Sequence, residues 1–205
     1  MNNKLIYKKP ARCFEEALPI GNGSLGAMVY GGADADRLSL NHDTLWSGKP
    51  KRTVRPNAYN AYTKARDSVL NGDTDTAEDL ICDEMNADWS QSYLPMGNLY
   101  IKSDVRDYED YSRTLDMQRA VVNAEFKSKN TVSKREYFSS NPDDAIVIKY
   151  TDEIPQKYEL SVDSQLLSSV EYKDDRIILK GECPSNLFPG DRPAEIPCTY
   201  DGTGI

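Results

Sequence analysis

The chain has 205 residues, 39% of them hydrophobic and 28% charged, which is enough for a sizeable core and too apolar for a disordered segment. The formal net charge is −8 and no basic stripe runs along the chain, so a nucleic-acid partner is not expected. Lys4, Lys8 and Lys9 are followed by no apolar run and no stretch is long enough to span a bilayer, so the expectation is a cytoplasmic protein with no secretory signal in this chain and no membrane partner, or a piece of something larger whose signal is elsewhere.

The first readable element is the apolar run from Leu25 to Tyr30, bounded by Gly21-Asn22-Gly23 and Gly31-Gly32. Those flanks mark a strand, and the alternation from Arg37 to Leu40 predicts a second strand returning on the first as a hairpin. Lys49, Lys51, Arg52 and Arg55 then form a basic loop around Pro50 and Pro56. After it the period changes. Ala58, Tyr62, Ala65, Val69 and Leu70 recur at helical spacing, and Gly72 stops the helix. A second helix is expected from about Thr76 to about Met85, capped near Asp73 or Thr74, with Ala77, Leu80, Ile81 and Met85 facing inward.

From Asn98 onward strand follows strand: Asn98 to Ile101, Arg113 to Met117, Ala120 to Lys127, Thr131 to Phe138, Ala145 to Tyr150 and Tyr158 to Val162. Val170 to Tyr172 and Ile177 to Leu179 follow, and a tight turn is expected at Lys129-Asn130. Short alternating strands at spacings of roughly ten residues predict a mainly β, antiparallel sandwich with two helices in one connection. Pro184, Pro189, Pro193 and Pro197 read as loop, and the Gly-rich end at Tyr200 to Ile205 reads as the start of a further strand, so a sandwich incomplete at its C-terminus is expected. Unpaired edges left that way lead us to expect self-association of the isolated chain.

The chemistry-bearing residues are few. Cys13, Cys82, Cys183 and Cys198 show no C-x-x-C spacing and are expected as free thiols; with His42 as the one histidine, neither a metal site nor a cofactor is expected. Gly21, Gly23 and Gly26 follow no phosphate-loop pattern, since a strand rather than a helix comes after them, and they read as residues permitting positive φ and close backbone approach. The aromatic set is dominated by 13 Tyr, against 4 Phe and 2 Trp; Tyr suits half-buried strand faces and also stacking on sugars. Asn41, His42, Asp43 and Thr44 supply donors and acceptors fit for hydroxyl groups, and Trp46 is either a stacking platform or a core anchor. Acidic residues are too numerous for pairs to signify: Asp73, Asp75, Glu78 and Asp79 read as helix-start charges, and no catalytic residue is assigned.

Two linked segments carry a family resemblance: Glu16-Ala-Leu-Pro-Ile-Gly-Asn-Gly-Ser-Leu-Gly-Ala-Met-Val-Tyr-Gly-Gly32 and Leu40-Asn-His-Asp-Thr-Leu-Trp-Ser-Gly48. They resemble the "ALPIGNGRLGAMVFGG" and "LNEDTLWSG" segments of glycoside hydrolase family 95, the α-L-fucosidase type. Tyr93 to Tyr100, Tyr111 to Met117 and Arg135 to Asp143 resemble that family's "YQPLGDLYL", "YRRELDL" and "REYFASYPD" in the same order, and Gly181 to Ser185 and Tyr200 to Gly202 fall at comparable turns. His42 stands where the family commonly has Glu, Asn98 replaces an Asp, and Asn141 replaces a Tyr.

The resemblance implies a single N-terminal domain of the super-sandwich type over residues 1–205, without the later (α/α)6 barrel that carries the family's acid and base. It implies fucosylated glycans as substrates of the full enzyme, inverting hydrolysis, and the barrel as an intramolecular partner. Asn41, His42, Asp43, Thr44 and Trp46 are the expected contribution to the substrate cleft or the barrel interface. A stand-alone carbohydrate-binding module, using Trp46, Trp89 or a surface Tyr, and a purely structural module are the alternatives.

Overall fold

The computed structural model describes residues 3–49, 54–86, 91–187 and 198–202. Its strands in chain order are β1 (Lys4–Tyr7), β2 (Leu18–Gly21), β3 (Leu25–Val29), β4 (Ala35–His42), β5 (Gly97–Ser103) and β6 (Glu109–Asp116). They continue with β7 (Val121–Ser128), β8 (Thr131–Ser140), β9 (Ala145–Asp152), β10 (Tyr158–Asp163), β11 (Leu167–Lys173) and β12 (Arg176–Glu182). One sheet has the order β1-β6-β7-β8-β9 and the other β10-β5-β4-β3-β2; β11 and β12 form a separate ribbon. The pairing is antiparallel throughout, and the two large sheets pack face to face as a sandwich.

Period-two alternation builds the core. Leu18, Ile20, Ala27, Val29, Leu38 and Ile101 from one sheet meet Leu115, Val122 and Tyr137 from the other. A second cluster, Ala33, Val105, Tyr111, Ala124 and Phe126, closes one end. The Lys129-Asn130 turn has φ of 50° and 61°, the two positive values that a type I′ hairpin requires. Two strands went unread in the sequence. β1 and β2 are four residues each, and β2 contains Pro19; it lies at the edge of its sheet, where the missing N–H leaves no ladder bond unmade. Of the three glycines in the Gly-rich segment, Gly23 alone has a positive φ, while Gly21 and Gly26 pair across β2 and β3.

The β4–β5 connection holds the helices α1 (Ala58–Leu70) and α2 (Thr74–Leu80), which contact each other through Ala61, Ala65 and Ala77. The Asp73 carboxylate caps α2, accepting from the Thr76 N–H at 3.1 Å, and that bond holds it below the usual carboxylate range. Residues Ile81–Met85 continue as a π-helical turn instead of α-helix. The wider winding takes Ile81 off the inward stripe, so it is exposed rather than buried as its spacing suggested. No helix among the described residues is long and apolar enough to cross a membrane.

A polar plug sits between the sheets where β3 turns into β4. Asp36, 1% exposed, accepts from the backbone N–H of Gly32 at 2.9 Å and of Arg37 at 2.8 Å, and from the hydroxyls of Tyr137 at 2.5 Å and Tyr150 at 2.7 Å. Arg135 donates to the carbonyls of Gly32 and Ala33, Tyr111 to that of Gly31 at 2.5 Å, and Arg113 to that of Val29 at 3.3 Å. Gly32 has no alternative here: a Cβ would stand 1.9 Å from the Ala35 carbonyl oxygen. Burial pushes the hydroxyls of Tyr137, Tyr150 and Tyr111 above the ordinary tyrosine value.

Removing the carboxylate strands two buried hydroxyls and two buried N–H groups. Asp36→Ala is therefore expected to lose about 3–5 kcal/mol, read from urea unfolding against Asp36→Asn, which keeps part of the bonding and loses less. The phenols impose an alkaline limit. Their folded pKa values are raised, so the stability they contribute is complete below the unfolded value and falls as pH climbs past about 10. Thermal melts taken from pH 8 upward, with phenolate absorbance followed in parallel, should show part of the tyrosine signal appearing only with unfolding; ionisation of all 13 tyrosines in the folded protein contradicts this.

Candidate functional site

β4 delivers the segment the sequence singled out. Inward-facing Asp36 and Leu38 tie the strand to the core, so Arg37, Ser39 and Asn41 face out on the opposite side. Asn41 accepts the His42 backbone N–H on its own Oδ1 at 2.8 Å. His42 Nδ1 lies 2.9 Å from the Thr44 hydroxyl, 3.3 Å from the Thr44 N–H and 3.1 Å from an Asp43 carboxylate oxygen. Nδ1 therefore meets both the Thr44 turn and the Asp43 side chain.

Trp46 is a surface residue rather than a core anchor. Its indole is 43% exposed, with Nε1 donating to the Asp43 carbonyl at 3.0 Å. The ring packs on Tyr93, 47% exposed, at a centroid distance of 5.1 Å and 51° between planes. Tyr93 donates its hydroxyl to the His42 carbonyl at 3.1 Å, and backbone pairing of Trp46 with Tyr93 brings the two ends of the helical insertion together. The result is a wet aromatic pair, two apolar faces with polar edges, of the kind that sits against sugar rings.

Beside this pair, a cleft of about 580 Å³ runs along the outer face of the β2–β5 sheet. Phe14, Pro19, Met28, Leu94 and Pro95 wall it, and Arg37, Ser39, Asn41 and Asn98 make its polar floor. Asn98 organises that floor: its Oδ1 accepts from Arg37 Nε and from the Ser39 hydroxyl, both at 2.9 Å. Its Nδ2 donates to Asp163 at 2.7 Å, and the other Asp163 oxygen accepts from the Tyr100 hydroxyl at 3.0 Å. Burial and the Asp163 carboxylate raise the Tyr100 hydroxyl above its ordinary value, so it stays protonated and donates.

Of the residues expected from the sequence, Asn41 lines this cleft, whereas His42, Asp43, Thr44 and Trp46 form the adjoining turn. Trp89 lies outside the described residues, as do Lys51 and Arg52 of the basic loop. The sequence reading missed Arg37, Ser39, Phe14 and Tyr93 as site residues. Strand parity carried a signal for the first two, because both share the outward face with Asn41; Phe14 and Tyr93 reach the site only through tertiary pairing. Among the described residues no Asp or Glu lines the cleft, and the polar side-chain groups there are amides, hydroxyls and the Arg37 guanidinium. Among the described residues no group of three or more His, Cys, Asp or Glu side chains is placed to hold a metal ion. The four cysteines are free, three exposed and Cys183 buried.

A family model described as "Glycosyl hydrolase family 65, N-terminal domain" matches residues 5–202, where the sequence motifs had resembled family 95. "Alpha-L-fucosidase 2" of Arabidopsis thaliana is 31% identical over 206 residues, covering 96% of this chain and 24% of that protein. "Probable alpha-fucosidase A" of Aspergillus niger is 32% identical over 141 residues, covering 65% of this chain and 17% of that protein. The Aspergillus oryzae protein of the same name is 30% identical over 142 residues, 65% of this chain and 19% of its own length. The chain spans about a quarter or less of the curated relatives it matches.

The exposure of Trp46 sets an energetic expectation. Trp46→Ala should cost the fold under about 1 kcal/mol, whereas Phe126→Ala, 0% exposed, should cost about 3–5 kcal/mol. Urea midpoints measured side by side decide this, and comparable losses at the two positions would return Trp46 to the core.

Proposed function

The chain belongs to the glycosyl hydrolase family 65 N-terminal domain family, and from that premise we propose that it is the non-catalytic N-terminal β-sandwich of a glycoside hydrolase of the family 95 type, acting on α-L-fucosides. One observation carries the reading: 96% of the chain aligns with an α-L-fucosidase of which it accounts for 24%. The motifs from Glu16 to Gly32 and from Leu40 to Gly48 support the same choice of parent. In that parent an acid outside this chain protonates the glycosidic oxygen while a water, activated by a base system also outside it, attacks the opposite face and inverts the anomeric centre.

This domain then has two tasks. It supports a helical catalytic domain of the (α/α)6 type, and it lends the turn Asn41 to Trp46 to the substrate cleft. The exposed apolar side chains of the helical insertion favour the first: Tyr62, Val69, Leu70 and Ile81 are 40–77% exposed and border one apolar hollow together with Met85. Such a face needs a cover, and the remaining length of the relatives supplies one. The free thiols fit a reducing compartment, and we place the domain in the cytoplasm. A second reading, a stand-alone carbohydrate-binding module, draws its support from the exposed Trp46–Tyr93 pair.

An aryl α-L-fucoside separates these readings. The isolated chain should give no turnover, and the chain joined to its catalytic domain should release the β-anomer first, seen by proton NMR. Trp46→Ala in the joined protein is expected to lower kcat/KM roughly tenfold. Hydrolysis by the isolated chain would remove the non-catalytic assignment; an unchanged kcat/KM would remove the turn from the substrate cleft.

A further inference from the structure

The donors and acceptors of the outer-sheet cleft are unevenly used. Asn98 Oδ1 accepts from both Arg37 Nε and the Ser39 hydroxyl, and Asn41 Oδ1 accepts from the His42 N–H. The donors of the same floor are open: neither the two terminal nitrogens of Arg37 nor Nδ2 of Asn41 makes a hydrogen bond among the described residues. Gln165 on the lining keeps both a donor and an acceptor, and the Ser39 oxygen keeps its lone pairs.

The charge is equally one-sided. In a chain carrying 33 acidic residues, Arg37 is the one charged residue lining this cleft among the described residues. It forms no ion pair among the described residues; its guanidinium is held by Asn98 and by the face of Tyr30, 4.9 Å from the ring centroid. Asp163, the nearest carboxylate in the network, is exposed and bonded to Asn98 and Tyr100. A pinned planar cation with free terminal N–H groups is the arrangement that takes a carboxylate in bidentate fashion.

Neutral sugar hydroxyls both donate and accept, and they bring no charge to meet the Arg37 guanidinium. An ionised carboxylate only accepts. The walls of Phe14, Pro19 and Met28 add apolar surface for a ring beside that carboxylate, and about 580 Å³ lies within the range of small-ligand sites. We propose that the cleft on the outer face of the β2–β5 sheet binds an acidic sugar, a uronic-acid unit of a glycan, with its carboxylate on Arg37, a ring hydroxyl on Asn41 and its ring against Phe14, Pro19 and Met28. That the carboxylate is borne by a sugar rests on the glycoside-hydrolase reading above; that the ligand is an acceptor-rich anion rests on the cleft itself.

Methyl α-D-galacturonoside and methyl α-D-galactoside, which differ only at C6, are the probes. Calorimetric titration of the intact chain at low ionic strength should show the uronide bound at least about tenfold more tightly than the galactoside, with the advantage shrinking as salt is added. Arg37→Gln should abolish the preference, and Arg37→Lys should restore part of it. Asn41→Ala, whose amide makes no hydrogen bond to another element among the described residues, should weaken the uronide severalfold with an unchanged thermal midpoint, which keeps the test sound if Arg37→Gln disturbs Asn98. Equal affinity for the two glycosides, binding of neither, or a preference that survives Arg37→Gln overturns the proposal. Acetate displacing the uronide at equal concentration overturns its sugar component. None of these outcomes depends on fucoside hydrolysis by the joined protein, so the two readings fail separately.

Discussion

The carboxylate of Asp36 is the constraint on which the sandwich turns. Burying an anion and the two guanidinium groups of Arg113 and Arg135 is costly, and the structure offsets that cost by giving each a backbone partner in the same loop. The carbonyls of Val29, Gly31, Gly32 and Ala33 receive donors from Tyr111, Arg113 and Arg135 of the facing sheet, while Asp36 receives the N–H groups of Gly32 and Arg37 and the hydroxyls of Tyr137 and Tyr150. A loop that would otherwise lie on the surface is drawn between the sheets because its polar groups find partners there. Arg135 also lies over the rings of Tyr150 at 4.4 Å and Phe126 at 4.9 Å, so the cation fills space that an apolar side chain would occupy elsewhere.

From that plug the register of β4 follows, and with it the site. Asp36 cannot leave the interior, so Leu38 faces the core and Arg37, Ser39 and Asn41 are committed to the outer face. Pairing with β5 sets Ser39 opposite Asn98 and Arg37 opposite Tyr100, which is how one amide comes to hold both a guanidinium and a hydroxyl. Core packing and the lining of the outer cleft therefore share a strand, with alternate residues given to each. A slip of one residue would bury Arg37 against the opposite sheet and expose Asp36, and both changes are unfavourable.

The helical insertion obeys a different logic. It leaves the sheet after β4 and returns before β5, and the gap is closed by the Trp46–Tyr93 bridge and by Ser47 and Leu94 bonding across it at 2.9 Å each. A long excursion can thus be carried without disturbing the pairing of β4 with β5. Its alanine stripe satisfies the two helices mutually and leaves larger apolar side chains outside, the pattern of an element made to meet something beyond this chain.

Alternation, turn residues and the change to helical period were legible along the chain because each depends on neighbours a few residues apart. The strands from Leu25 to Leu179, the Lys129-Asn130 turn and the capped second helix are of that kind. The segment from Asn41 to Trp46 was legible as a polar stretch ending in an aromatic residue, and of it Asn41 lines the outer cleft. β1 and β2 were not legible, because four-residue strands carry too little pattern; β2 holds a Pro, and β1 pairs with β6 across more than a hundred residues. Tertiary structure alone decided that Trp46 is outside, that Tyr93 stands against it, and that Asp36 is an interior anion while Arg37, one residue on, is a surface cation. Each of these is settled by which groups meet across the sandwich, a property of the fold's closure that no local stretch of sequence contains.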